Sequence, residues 1–186
     1  MSRSAPTIVL VGLMGTGKTT VARLLANHYG SDCLDTDVLV EQRAGRSVRS
    51  VFDTDGEPAF RDLESEVLAS CLRSPSGCIV AGAGGVVLRE ENRRALKEAS
   101  RNGAFVVWLS APPEVLVART TRGGHRPLLD DDRAGTLERM ARERAALYAE
   151  VADITVDVSD RSAESVARLV VEAVDEAVRM DGHGDV

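Results

Sequence analysis

Ile8-Val9-Leu10-Val11-Gly12-Leu13-Met14-Gly15-Thr16-Gly17-Lys18-Thr19 is the stretch on which the fold turns. Four β-favouring apolar residues stop at a glycine, and Lys18 opens a segment of helical period, residues 18–29, in which Val21, Ala22, Leu24, Leu25 and Ala26 are apolar and Gly30 is placed as a C-terminal stop. Between strand and helix the chain reads G-x-x-x-x-G-K-[ST]. Glycines there let the backbone curl until successive N–H groups face one anion at the positive end of the helix. Lys18 adds a mobile cation suited to β- and γ-phosphates, and the Thr19 hydroxyl is a hard oxygen suited to Mg²⁺. Chance gives such a match in on the order of one per hundred or more chains of this length, and the required strand and helix make it rarer. Gly12, Gly15, Thr16, Gly17, Lys18, Thr19 and Thr20 are therefore expected to hold a nucleoside triphosphate such as ATP.

Outward from this loop, short apolar runs alternate with longer helical patterns. Strands are expected over residues 7–11, 32–35, 78–81, 105–109 and 154–158. Helices are expected over 18–29, 38–44, 48–53, 57–72, 90–100, 113–121, 134–151 and 162–179, with Ser47 as a cap and Gly45 and Gly56 as stops. The alternation predicts an α/β domain built from βαβ units around a parallel sheet, one domain over residues 1–186, with a frayed tail from about residue 181. The balance of 23 basic against 29 acidic residues gives a net charge of −6, the wrong sign for a protein whose main partner is nucleic acid. Cys33, Cys71 and Cys78 form no CxxC pair, and His28, His125 and His183 are scattered, so neither zinc spacing nor a disulfide framework is present. No run reaches the roughly 20 apolar residues of a membrane span; a soluble cytoplasmic protein with reduced thiols is expected.

Several further segments carry chemistry. Leu34-Asp35-Thr36-Asp37 ends the second strand, and residues two apart on an extended chain face one side, so Asp35 and Asp37 can share the crevice beyond the sheet. One carboxylate suits the water shell of Mg²⁺, the other an attacking hydroxyl; a solvated turn fits the spacing equally well. Glu57, Arg61 and Glu64 share a helical face, as a guanidinium site for a substrate carboxylate or as a surface ion-pair ladder. Gly82-Ala83-Gly84-Gly85 follows the third strand, either a backbone site for a small polar molecule or an ordinary turn. Arg119 to Arg126 combines arginines with Gly123-Gly124 and suits a lid over residues 121–133, or a solvated loop. Arg144 lies on a charged helix where spacing alone does not single it out.

Together these segments resemble the shikimate kinases, a branch of the nucleoside-monophosphate-kinase-like P-loop proteins. The marks are the Gly12–Thr19 loop, Leu34-Asp35-Thr36-Asp37, Phe52 with Gly56-Glu57, Phe60-Arg61 and Glu64, the glycine turn, Arg126-Pro127-Leu128-Leu129, and Arg144 with Leu147-Tyr148. The resemblance implies a three-layer fold with a five-stranded parallel sheet in the order 2-3-1-4-5, a lid, and an acceptor region over about residues 36–64. It implies ATP-dependent phosphorylation of the 3-hydroxyl of shikimate, on the route to chorismate and the aromatic amino acids, by a monomer. It also implies roles: Asp35 with Thr19 for Mg²⁺, Asp37 for the acceptor hydroxyls and as base, and Arg61 and Arg144 for the carboxylate. Gly84 and Gly85 would give backbone contacts to the acceptor, Arg126 would reach the transferred phosphate from the lid, and Arg119 and Arg161 would flank the adenine. One departure stands out: Ala83 occupies the first of three positions that are usually glycine. If that position needs φ > 0, the methyl costs about 1 kcal/mol and narrows the pocket. Two rivals remain, a kinase of gluconate or another polyol and a silent nucleotide-binding module.

Overall fold

The computed structural model describes residues 5–74, 77–122 and 132–181. Five strands, β1 (Ile8–Val11), β2 (Asp32–Asp35), β3 (Cys78–Ala81), β4 (Phe105–Ser110) and β5 (Ile154–Asp157), form one sheet in the order β2-β3-β1-β4-β5. Every pairing is parallel, with Val9 opposite Val80 on one side and Val106 on the other. All four residues of β1 are buried, as a central strand covered on both faces requires. Val9 and Val11 pack into a core with Val67, Leu68, Leu96 and Leu137, whereas Ile8 and Leu10 pack into a second with Leu25, Val166 and Val170. The alternation of β1 thus separates two cores.

The helices follow from the same pattern. On the Ile8–Leu10 face lie α1 (Lys18–Tyr29) and α7 (Ala163–Asp181); on the other lie α3 (Val48–Leu72), α4 (Glu90–Arg101) and α6 (Arg133–Val151). Two further helices, α2 (Thr36–Ala44) and α5 (Pro113–Arg122), bury Val40 and Leu116 in the core shared with α3, α4 and α6. The expected order and layering hold. Three details differ. Helix α2 begins two residues early because the Asp35 side chain accepts the Asp37 N–H and caps it. The segments expected over 48–53 and 57–72 run on as one helix, broken at Gly56, whose φ of 82° and ψ of 170° only glycine adopts readily. That kink lets Phe52 and Phe60 meet across it, ring centroids 4.4 Å apart. Finally, residue 181 belongs to α7 rather than to the tail. The expected lid lies largely outside the described residues, as do Arg126 and residues 182–186.

Candidate active site

A cleft of about 610 Å³ opens at the C-terminal ends of β1, β2 and β3, where open parallel sheets bind ligands. Its floor is the glycine-rich loop. Gly15, Gly17, Lys18, Thr19 and Thr20 line it, while Gly12 and Thr16 lie beneath, Thr16 buried with its hydroxyl donating to the Leu13 carbonyl at 2.8 Å. Lys18 Nζ donates to the Gly12 and Leu13 carbonyls at 2.8 and 3.0 Å, so the ammonium is held across the loop. Thr19 Oγ1 donates to Asp35 Oδ2 at 2.8 Å. This hydroxyl and carboxylate are adjacent hard oxygens of the kind Mg²⁺ takes alongside phosphates and water. Among the described residues there is no cluster of three or more acidic, His or Cys side chains that could hold a metal ion.

Asp37 lines the same cleft. Burial is the main force raising its pKa, helped by the Asp35 carboxylate and opposed by Lys18. A carboxyl so placed has its charge penalised until a proton or a cation arrives.

Arg61 and Arg144 both line the opposite wall. The Glu57–Arg61–Glu64 ion-pair ladder forms, with its Glu57 end exposed and its Glu64 end buried at the cleft: Nη1 donates to both oxygens of Glu64, at 3.1 and 2.9 Å, and Nε and Nη2 share Glu57 Oε1, at 3.2 and 3.0 Å. Glu64 is only 1% exposed. Burial raises its pKa even though Arg61 pulls the other way. The Arg61 guanidinium also fills the space that a Cβ at Gly85 would need. Any side chain at 85 would displace it.

Arg144 is not solvated either. It is 9% exposed, Nη1 donates to the Gly84 carbonyl at 3.0 Å, and Nε is buried without a hydrogen-bond partner. It makes no ion pair among the described residues, unlike Arg61. Its charge is felt by the buried Glu64 carboxyl and it lies against the Tyr148 hydroxyl, yet with no direct ion pair among the described residues and a partnerless Nε the guanidinium keeps donor capacity for an anion.

The glycine turn meets these arginines directly. Gly82 N–H donates to the Leu10 carbonyl at 2.9 Å, and Ala83 N–H to Thr36 Oγ1 at 2.8 Å. Ala83 carries no positive φ, so the expected backbone strain is absent; its methyl is simply buried in the turn. Thr36, wholly buried between the two aspartates, ties their segment to the turn. Tyr148 O–H donates to the Gly84 carbonyl at 2.6 Å. Neither Thr36 nor Tyr148 was among the residues expected from sequence to contact ligands. Arg119 lines the cleft, its Nη2 donating to the Val158 and Ser159 carbonyls at 2.6 and 3.0 Å. Arg161, whose Nε donates to the Asp157 carbonyl at 3.1 Å, is exposed and not among the cleft-lining residues. A larger cavity of about 920 Å³ opens near Thr7, Tyr29, Phe105 and Val174, at the opposite end of the sheet, and none of the phosphate-loop residues lines it.

The family model described as shikimate kinase matches residues 14–175. The chain belongs to the shikimate kinase family. The shikimate kinase of Marinomonas sp. (strain MWYL1) is 39% identical over 179 residues, spanning 95% of this chain and 96% of that protein. Among solved structures, a shikimate kinase from Acinetobacter baumannii, solved in complex with shikimate, matches with a TM-score of 0.86 and 33% identity over 94% of this chain and 95% of that one. A gluconokinase from Sinorhizobium meliloti shares the fold only, with a TM-score of 0.60 and 20% identity over 97% of this chain and 99% of that one. The family assignment agrees with the fold and separates this chain from the gluconate rival.

Proposed function

We infer that the chain transfers the γ-phosphoryl group of ATP to the 3-hydroxyl of shikimate, giving shikimate 3-phosphate and ADP, a step toward chorismate and the aromatic amino acids. ATP is the cosubstrate of the family. One observation carries the choice of acceptor: the buried Arg144 guanidinium, with an unpaired Nε and no ion pair among the described residues, shares a cleft with Arg61 and the phosphate loop. An anionic alcohol gives that guanidinium a direct partner, which a neutral polyol does not; gluconate is itself an anion, and the choice of shikimate over it rests on the family.

The other roles follow from position. Loop amides and Lys18 bind the β- and γ-phosphates and orient the terminal phosphoryl group. Thr19 and Asp35 would hold Mg²⁺, which supplies charge neutralisation on the triphosphate. Asp37 accepts a hydrogen bond from the acceptor hydroxyl and takes its proton as the new P–O bond forms; its raised pKa suits it to that exchange. Arg61 and Arg144 grip the carboxylate, and Gly84 and Gly85 offer backbone contacts. Arg119 and Arg161 are the proposed flanks of the adenine, Arg119 lining the cleft and Arg161 exposed outside its lining; Arg126, in the lid expected over residues 121–133 and outside the described residues, is the proposed contact to the transferred phosphate. The acceptor region spans about 36–64 within a single domain. The proposed enzyme is a cytoplasmic monomer acting on small molecules; the net charge of −6 disfavours a nucleic-acid partner, and among the described residues no helix is long and apolar enough to cross a membrane.

A coupled ADP-release assay over shikimate, its methyl ester and gluconate tests the proposal. Turnover of shikimate is expected, with the ester losing most of kcat/KM because the carboxylate charge is gone. Turnover of gluconate without shikimate, or ATP binding without transfer to any acceptor, overturns it.

A further inference from the structure

Tyr148 is among the most deeply buried polar side chains of the protein, 1% exposed, on the same face of α6 as Arg144 one helical turn earlier. Its ring stacks on Trp108, centroids 5.7 Å apart, which fixes where the hydroxyl points. That hydroxyl and Arg144 Nη1 converge on one atom, the Gly84 carbonyl oxygen, at 2.6 and 3.0 Å. A carbonyl has two lone pairs and can accept both. The arrangement is redundant for the carbonyl and not for the arginine, since each N–H that Arg144 gives to Gly84 is withheld from a ligand.

We propose that Tyr148 is a positioning residue for the acceptor: it is the permanent donor to the Gly84 carbonyl, so that Arg144 can leave that oxygen for the acceptor's carboxylate without stranding it. This rests on the reading that Arg144 binds the acceptor's carboxylate. A buried carbonyl left with no donor carries the full desolvation penalty of the group, and a protein without the Tyr148 hydroxyl meets that penalty each time Arg144 turns to a ligand. Burial pushes the phenol's pKa up to about 12 against the charge and hydrogen bond of Arg144 beside it, so it stays protonated and a donor at working pH.

The test is Tyr148→Phe, which removes one oxygen and keeps the stack on Trp108. Shikimate KM, together with Kd read from the fluorescence of Trp108, the protein's single tryptophan, should rise about five- to thirtyfold, with ATP KM unchanged within about twofold. In an Arg144→Met background the same substitution should change shikimate KM by less than about twofold, because there is no arginine left to release. Equal changes in both KM values, no change, or a full effect in the Arg144→Met background overturns the proposal. Arg144→Met alone separates it from the reading beneath it: if that variant leaves shikimate KM untouched, both fail. If it is severe while Tyr148→Phe is silent, only the role of Tyr148 fails. Should Tyr148→Phe not fold, 3-fluorotyrosine in a Tyr29→Phe background labels Tyr148 alone, since the chain has two tyrosines. Its ¹⁹F resonance should shift on adding shikimate and not on adding ADP; an unmoved resonance overturns the proposal.

Discussion

Asp37 is held where loss of water and the Asp35 carboxylate both penalise its charge, with Lys18 only partly offsetting them. If it is the base, Asp37→Asn should keep ATP binding and lower kcat by about 10²-fold or more, and the wild-type kcat should fall as the pH drops through the raised pKa. The variant's residual rate should lack that acid limb. A near-normal rate makes Asp37 a positioning group. At Arg61 the fork matters more than the charge: it reaches Glu64 through Nη1 and Glu57 through Nε and Nη2. Arg61→Lys keeps the charge and loses that geometry. Acceptor binding should weaken by about 1.5–3 kcal/mol with ATP KM unmoved; an unchanged acceptor KM removes Arg61 from the site.

At the scale of elements, the kink in α3 connects chain chemistry to acceptor binding. Gly56 turns the helix so that Phe52 and Phe60 stack and Arg61 swings over the Phe60 ring, its Cζ 5.1 Å from the centroid. Gly56→Ala forces a Cβ into a backbone region that is essentially glycine-only, at a cost of about 1–3 kcal/mol. It should raise shikimate KM while leaving ATP KM alone, because the phosphate loop sits on β1 and α1 and not on α3; equal effects on both would mean that the kink does not act locally. The glycine's role as a break was legible from the sequence, as were Gly30, the Ser47 cap and the loop motif, because each depends on local backbone chemistry. Less legible was burial of charge, and a signal for it did exist. On α6 the buried positions run Leu137, Met140, Arg144, Tyr148, Val151, and on α3 they run Phe60, Glu64, Val67, Leu68, Cys71. Arg144 and Glu64 each stand in the register of an apolar stripe, where a charge must find a partner or a ligand. Charged neighbours on α6 hid this, since Glu138, Arg139, Arg142 and Glu143 are all exposed. Thr36 was illegible for another reason: its partner, the Ala83 N–H, lies 47 positions away, and only the pairing of β2 with β3 brings them together.

For the molecule as a whole, one end of the sheet gathers segments from residue 14 to residue 144, so the site's charges are set by the fold rather than by neighbours in sequence. The balance is uneven. Arg61 has two carboxylates, while Arg144 has no ion pair among the described residues and a buried Nε without a partner. Without ligand the buried Arg144 charge is balanced only at a distance, by the Glu64 carboxyl that Arg61 already engages, and an anionic ligand would pair it directly. Shikimate at about 100 times its Kd should stabilise the fold by about 2.7 kcal/mol through binding to the native state alone. For a chain of this size that is a rise in Tm of about 5–10 °C. Arg144→Met, of similar length and apolar like the stripe it joins, should separate the two effects. Its Tm without ligand should equal or exceed that of the wild type, and the shikimate-induced rise should shrink to a small fraction. A large drop in Tm without ligand would make the Arg144 charge part of the structural core, held by Gly84 alone, and would remove the reason for an anionic acceptor.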